Sequence, residues 1–465
     1  MLFCALAFVV AFAATAYAEV QNVKVSGDLS ISGVMRNGYD LTKGISRTNQ
    51  SDSFYVGITR VKVEADLTDN VQATVRLLNE RVWEAETSAN TDIDLDLAYL
   101  TLKEFLYSPL TLTLGRQNLR YGNALIVGDP DTNAQVTGSS TGLKGTIAED
   151  LSVRKAFDAL KATFDYAPWT IDLVTAKISE VNKAGGTHFD SQDEDLYGVN
   201  AGYKFASYNA SAEGYFFAKR ARAEAVSVAT TTIPLTQAGN INNLGLRGMI
   251  EPIKDLGLTG EVAYQFGKAT KVGTGVTANR DQKAWALDLD GTYTFENQYA
   301  PMLGLGYSYR SGQNIDKSTG DYKAWNVMYE DQTQGVVADY LLSGVNGGVN
   351  SNASIIKASG SIKPVKDITL GAKYYNYRLT KTLVAAGSTT GTVTYASTNL
   401  GSVTHAYTFN NKKELGNEID LLATYDYTTD VQFGLTAGWF SPGKAFNNVN
   451  NQNASSIIGS VKVVF

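Results

Sequence analysis

The chain has 465 residues, 44% hydrophobic and 18% charged, with one cysteine, two histidines and a formal charge of −6 at a pI near 5.2. Without paired cysteines there is no disulfide scaffold, and the acidic balance argues against a nucleic-acid partner. The 26 tyrosines and 18 phenylalanines exclude a disordered chain, and no internal apolar run is long enough for a helix to span a bilayer.

Residues 1–18 carry no charge and end in Ala16-Tyr17-Ala18 ahead of Glu19. Small residues flanking the cleavage point after an apolar core mark a secretory signal peptide, cut after Ala18. A basic residue before the apolar core is missing, and a membrane-anchor helix is the competing reading. Cleavage removes Cys4, so no thiol is left for a metal site or a nucleophile. Residues 19–465 then form one exported domain.

From residue 22 onward the dominant period is two. In Tyr197–Phe205 the residues Tyr197, Val199, Ala201, Tyr203 and Phe205 alternate with Gly198, Asn200, Gly202 and Lys204. Alternate side chains of a strand point to opposite faces, so one face is apolar and the other polar. The pattern recurs at 61–67, 71–77, 256–266, 285–295, 303–309, 419–427 and 431–439. Short turns fall near 68–70, 106–109, 167–168, 206–207, 252–255, 296–300, 364–366 and 428–430. They define eight hairpins, and a first strand (22–37) and a last one (454–465) bring the count to 18 strands, with 16 as the alternative. The other connections, at 38–53, 85–91, 119–155, 183–194, 221–240, 269–281, 312–352, 380–416 and 442–453, are long. Segment 321–331 also alternates but is placed in a loop, because a further strand would break the even count.

Short turns alternating with long loops are the pattern of an all-β, transmembrane antiparallel β-barrel of a Gram-negative outer membrane. Aromatic residues gather at strand ends, as interfacial girdles require: Tyr166, Trp169, Phe205 and Phe295 by short turns, Tyr264, Tyr309, Trp439 and Phe440 toward long loops. With the apolar face toward lipid, the enclosed face holds 12 basic and 13 acidic residues. Arg60, Lys62, Arg76, Arg247, Arg310, Asp288, Asp290, Glu418 and Asp420 are the candidate channel-lining residues among them. Near charge balance predicts weak ion selectivity.

Residues 112–128 contain Gly115-Arg116-Gln117 followed by Tyr121-Gly122. This segment resembles the alginate-export porin family of Gram-negative bacteria. The resemblance implies an 18-stranded barrel, the count the turns give, and a diffusion channel with Arg116 near its constriction. The polysaccharide exporters of that family carry a strongly basic lumen, and this sequence departs from that. Alternation from Leu110, Leu112 and Leu114 aims Arg116 at lipid, unless Gly115 allows a bulge that re-aims it inward or Arg116 lies above the apolar band. Tying loop 119–155 to the wall is the structural alternative for Arg116, and the stronger reading of Arg120.

The expected function is a water-filled outer-membrane porin for passive diffusion of hydrophilic solutes, carbohydrates or anions among them. A structural or adhesive surface barrel, using the long loops 119–155, 312–352 and 380–416, is the alternative. An enzyme is not expected, since His188 and His405 are the only histidines and both fall in loops. Asp129-Pro-Asp131-Thr-Asn133 starts like a calcium loop, but Ala134 and Ser140 stand where that loop needs Gly and Glu. No cofactor and no metal is indicated. The expected partners are the solutes, outer-membrane lipid and lipopolysaccharide, and the barrel-assembly machinery through the strand ending in Phe465. The protein is a monomer or a homotrimer on this reading.

Overall fold

The computed structural model describes residues 22–42, 51–83, 93–130, 149–179, 194–221, 224–228, 231–236, 239–269, 280–314, 319–342, 348–385, 388–397 and 403–465. The predicted leader, His188 and the side chain of His405 lie outside the described residues.

The strands are β1 (Asn22–Asn37), β2 (Ser51–Thr68), β3 (Val71–Val82), β4 (Asp94–Leu102), β5 (Leu110–Asn118), β6 (Ala156–Tyr166), β7 (Trp169–Ser179), β8 (Glu194–Lys204), β9 (Ser211–Ala221), β10 (Glu224–Val228), β11 (Thr231–Thr236) and β12 (Gly239–Ile253). Then come β13 (Leu256–Ala269), β14 (Arg280–Thr294), β15 (Met302–Arg310), β16 (Ala353–Val365), β17 (Ile368–Leu379), β18 (Thr390–Ser397), β19 (Val403–Asn410), β20 (Glu414–Asp426), β21 (Val431–Pro442) and β22 (Ala454–Val464). Eighteen of them form one antiparallel sheet that closes where β1 pairs with β22 as well as with β2. Closure leaves no edge, which a bilayer-spanning sheet requires. The remaining pairs, β10–β11 and β18–β19, are small hairpins inside connections that alternation alone left as loops. At five to eight residues each they are shorter than the strand length a bilayer demands.

Segment 321–331 joins no strand, as expected; its β-type pairing is limited to isolated bridges, Tyr322 with Gln282 of β14 and Tyr329 with Val127 in the connection after β5. The two faces separate as the period of two requires. Leu160, Leu173, Tyr197, Leu244, Leu246 and Leu305 stand exposed on the outside. Their neighbours in sequence point inward: Arg247 pairs in register with Glu261 and forms an ion pair with Glu213, while the adjacent Leu246 sits beside Val262 on the outer face. Outer aromatic contacts line both rims, for example Trp169 against Tyr203 and Trp285 stacked on Tyr309 at 4.3 Å between ring centres. Phe440 departs from its expected place in that girdle. It is fully buried on the inner face, packed with Tyr377 and Phe446.

The large apolar clusters lie inside the barrel, because parts of the long connections fold into it. Register is therefore fixed from both sides of the wall. The substitution Leu246→Arg should destabilise the barrel by about 2–4 kcal/mol, the cost of a charge on the lipid face near mid-membrane. Denaturant titration of protein refolded into lipid vesicles measures this, with Leu246→Phe expected to stay near wild type.

Candidate functional site

Three inward segments meet in the lumen. The first, 119–130, leaves β5 at Gln117, whose side-chain amide donates to the carbonyls of Thr113, Gly115 and Ala159 and holds the turn. Leu119, Leu125, Ile126 and Val127 then bury against Phe157, Ala176, Leu196 and Phe217 of the inner wall. At its bend the backbone approaches the wall closely. Gly122 has φ +58°, and a Cβ there would lie 2.5 Å from the Glu261 carboxylate, so only glycine fits. Glu213 accepts the N–H of Gly122 at 3.2 Å and Glu261 that of Asn123 at 2.7 Å. Arg247 bridges this seat, donating to Asn123 Oδ1 at 2.8 Å and pairing with Glu213 at 2.8 Å.

The second segment, 319–342 with 348–352, crosses from β15 to β16. Gln265 and Gln282 donate to the carbonyls of Asn326 and Ala324. Arg310 and Asp288, both almost fully buried, pair at 2.8 Å and share Gln332 between them. Beyond lies the single-turn helix α1 (Ala338–Leu341). The Glu418 carboxylate accepts the N–H groups of Val337 and Ala338, each at 2.7 Å, and Asp420 that of Val336 at 3.3 Å. Helix starts leave N–H groups without internal partners, and here a wall carboxylate supplies the acceptor. Val337, Leu341 and Leu342 pack with Tyr375, Tyr377 and Phe440.

The third segment, 149–155, covers β1–β3. Leu151 and Val153 pack on Val56, Ile58 and Leu78, and Glu80 accepts the Val153 N–H at 2.6 Å and pairs with Arg154. Arg36 pairs with Asp150 at 2.5 Å and faces the Tyr340 ring at 4.4 Å, so the third segment touches the second. Asp331 is the meeting point of all three: its carboxylate pairs with Arg120 and with Lys155, and its N–H bonds Ala124.

The ten candidate lining residues divide accordingly. Arg60 pairs with Asp28 at 2.9 Å, Lys62 with Glu64 at 3.0 Å, Arg76 with Asp96 at 2.5 Å, and Asp290 with Lys357 at 3.0 Å, all on the inner wall and partly open. Arg247, Arg310, Asp288, Glu418 and Asp420 also point inward, but they seat the inward segments. The last four are at most 2% exposed, so they do not meet an open lumen. Arg116 is the correction. It pairs with Asp158 at 2.8 Å on the face that carries Leu114 and Leu160, so it points outward above the apolar band. Gly115 has φ +123° and lies hard against β4, yet the chain does not turn Arg116 into the lumen. Asp331 and Glu261 escape sequence reasoning as anchors, since nothing local names their partners. The Tyr121-Gly122-Asn123 stretch was the available signal for the bend.

A family model described as alginate export matches residues 27–460. No curated protein sequence matches the chain. Among solved structures it is similar to Pseudomonas aeruginosa OccK2 (OpdF), 10% identical over 96% of this chain and 98% of that one, TM-score 0.53. It is also similar to OccK2 in complex with glucuronate (12% identity, 96% and 99% covered, TM-score 0.52) and to OccK9 (OpdG) of the same organism (12%, 96% and 99%, 0.52).

Two outcomes follow from the seat. Asp331→Asn removes the charge shared by Arg120 and Lys155 and should weaken the junction by about 1–3 kcal/mol. In planar bilayers this should appear as more frequent current fluctuations, with Asp290→Asn, which touches no inward segment, unchanged. The second concerns pH. Burial, with Asp339 nearby, pushes Glu330 up to about 8, and burial, with Asp150 and Glu418 nearby, pushes Asp339 up to about 7. Released into water, both titrate near their ordinary 4.5 and 3.8. The seated form therefore holds more protons, and its stability is greatest below about pH 4 and falls as pH rises toward 8. Proteolysis within 319–342 should increase from about pH 5 to about pH 8, and Asp339→Asn should flatten that rise.

Proposed function

The chain belongs to the alginate export family, and from that premise we propose that this outer-membrane channel of a Gram-negative bacterium passes small hydrophilic solutes, carbohydrates and anions, by diffusion. The observation that carries the proposal is the partly open, charged inner wall below the inward segments. Arg60, Lys62 and Arg76 on β2 and β3, and Asp290 with Lys357 on β14 and β16, keep charged groups accessible on the enclosed face. A wall of paired charges offers hydrogen-bond donors and acceptors to sugar hydroxyls and carboxylates without a strong net field. Glucuronate, which the OccK2 complex contains, is a suitable first probe for a solute that is both sugar and anion.

Against the adhesive alternative stands the packing of the described parts of connections 119–155 and 312–352, two of the three loops it rests on, inside the barrel. In the proposal, residues 1–18 are the export leader and 19–465 the barrel. The last strand is the assembly element: Phe465 exchanges backbone hydrogen bonds with Gly27 where β1 and β22 close the sheet.

The pore should be weakly selective, with a preference that changes with ionic strength, since screening acts over about 8 Å at physiological salt. The double substitution Arg60→Glu and Arg76→Glu leaves Asp28 and Asp96 uncompensated, so the reversal potential in a salt gradient should move toward cations. An unchanged reversal potential with intact conductance would place these arginines off the permeation path.

A further inference from the structure

The outer face of β5–β9 carries two features that neither the lumen nor the barrel closure uses. The first is an apolar groove of about 550 Å³, walled by Leu112, Leu114, Leu160, Leu173, Val199 and Phe216, with the smaller Ala162, Thr175 and Gly198 also lining it. The second is a row of charge immediately above it. Arg116, Asp158, Lys177, Asp195 and Arg220 are consecutive register partners across the five strands. On β5 to β8 each of the four follows by two positions a groove-lining residue: Leu114, Leu160 for Asp158 in the reversed direction, Thr175, and Tyr197 likewise reversed. Side chains two apart share a face, so row and groove are continuous. The row holds three cations and two carboxylates, with an arginine at each end. Arg116 pairs with Asp158 and Lys177 with Asp195, both at 2.7–2.8 Å, while Arg220 donates to Asn242. Asp158 and Lys177 are each more than half exposed.

Orientation decides what could sit there. The row lies at the long-loop end, which faces the cell exterior in barrels of this class. At the short-turn end of β6, β7 and β8 the same face carries Tyr166, Trp169 and Tyr203 and no charge. The two leaflets thus meet opposite chemistry on β6, β7 and β8. An aromatic rim suits a phospholipid interface, whereas a cation-rich row over an apolar groove suits a ligand with phosphate directly above acyl chain.

We propose that β5–β9 form a binding site for a phosphate-bearing, multiply acylated glycolipid of the outer leaflet, that is, the lipid part of lipopolysaccharide. Its acyl chain lies in the groove, and its phosphates, set apart on the sugar backbone, accept hydrogen bonds from the row's cations Arg116, Lys177 and Arg220. The site takes up Arg116, which the lumen does not use.

Full-length protein in phosphatidylcholine nanodiscs, titrated with bisphosphorylated hexa-acyl lipid A and read by native mass spectrometry, tests the proposal. Replacing Arg116, Lys177 and Arg220 with Gln should reduce lipid A retention about tenfold or more, given the contribution of each cation near a membrane surface. Thr175→Trp fills the groove without touching the row and should reduce retention too, with heat-modifiable gel mobility confirming folded barrel in every variant. Lys268→Gln with Lys283→Gln, at the same end on β13 and β14, should leave retention unchanged. Monophosphorylated lipid A should bind less tightly than the bisphosphorylated form, and phosphatidylglycerol should not compete at equal concentration. Equal retention by the triple variant, equal loss in the β13–β14 control, or full competition by phosphatidylglycerol would overturn the proposal.

Discussion

One interaction recurs wherever the lumen is filled: a carboxylate on the barrel wall accepts backbone N–H groups from a segment that has folded inward. Glu80 does so for Val153, Glu213 for Gly122, Glu261 for Asn123, and Glu418 for Val337 and Ala338. Barrels of eighteen strands are too wide for wall side chains to close. Irregular chain can enter only if its polar backbone finds partners, since buried N–H groups without acceptors are costly. A carboxylate has several lone pairs and a negative charge, so one side chain can satisfy two donors and fix their direction. The wall is rigid because each strand is hydrogen-bonded on both sides, and that rigidity passes to the loops through these few acceptors.

The apolar part of the seat is arranged around the same points. Tyr215, whose hydroxyl donates to Glu261, packs with Phe217 beneath the first segment. Tyr377 contacts Phe440 and donates to the Gln334 carbonyl beside Glu418. Glu261 and Glu418 are thus flanked by aromatic rings, which limit water and strengthen the hydrogen bonds they accept. Non-directional burial gives the inward segments most of their attachment, while the acceptors set their register.

Much of this was legible from the residues alone, and the boundary is physical. Alternation between Leu246 and Arg247, or Leu289 and Asp288, fixes faces because a one-residue slip would place charge in lipid. It follows that the inward direction of Glu418, Asp420 and Arg310 could be read, but not their burial. What covers them is 22 to 138 residues away in segments without periodicity: Asn123 for Glu261, Val337 for Glu418, Gln332 for Arg310. Phe440 was misplaced for a related reason. Aromatics near a strand end suit an interfacial girdle or an inner cluster equally well, and only parity with Glu418 across the β20–β21 ladder separates the two. For Arg116, parity was the better guide than the glycine before it. The hairpins β10–β11 and β18–β19 repeat the barrel's period at lengths too short to span, so periodicity alone did not mark them as strands within loops.

These seats also change what the inner wall presents to a solute. Counted by sequence, inward acidic and basic residues nearly balance. Yet Glu80, Glu213, Glu261, Asp288, Glu418 and Asp420 all face inward segments or their supports, and the wall cations Arg36, Lys219, Arg247, Arg280 and Arg310 are engaged in the same way. Lys62, Lys357 and Lys373 remain at least partly open. In the proposed channel, the groups left for direct contact include the pairs Arg60–Asp28, Lys62–Glu64 and Lys357–Asp290, while the buried carboxylates still contribute to the longer-range field. The charge a passing solute meets is thus not the charge counted along the wall, because many of its carboxylates and several of its cations hold the loops.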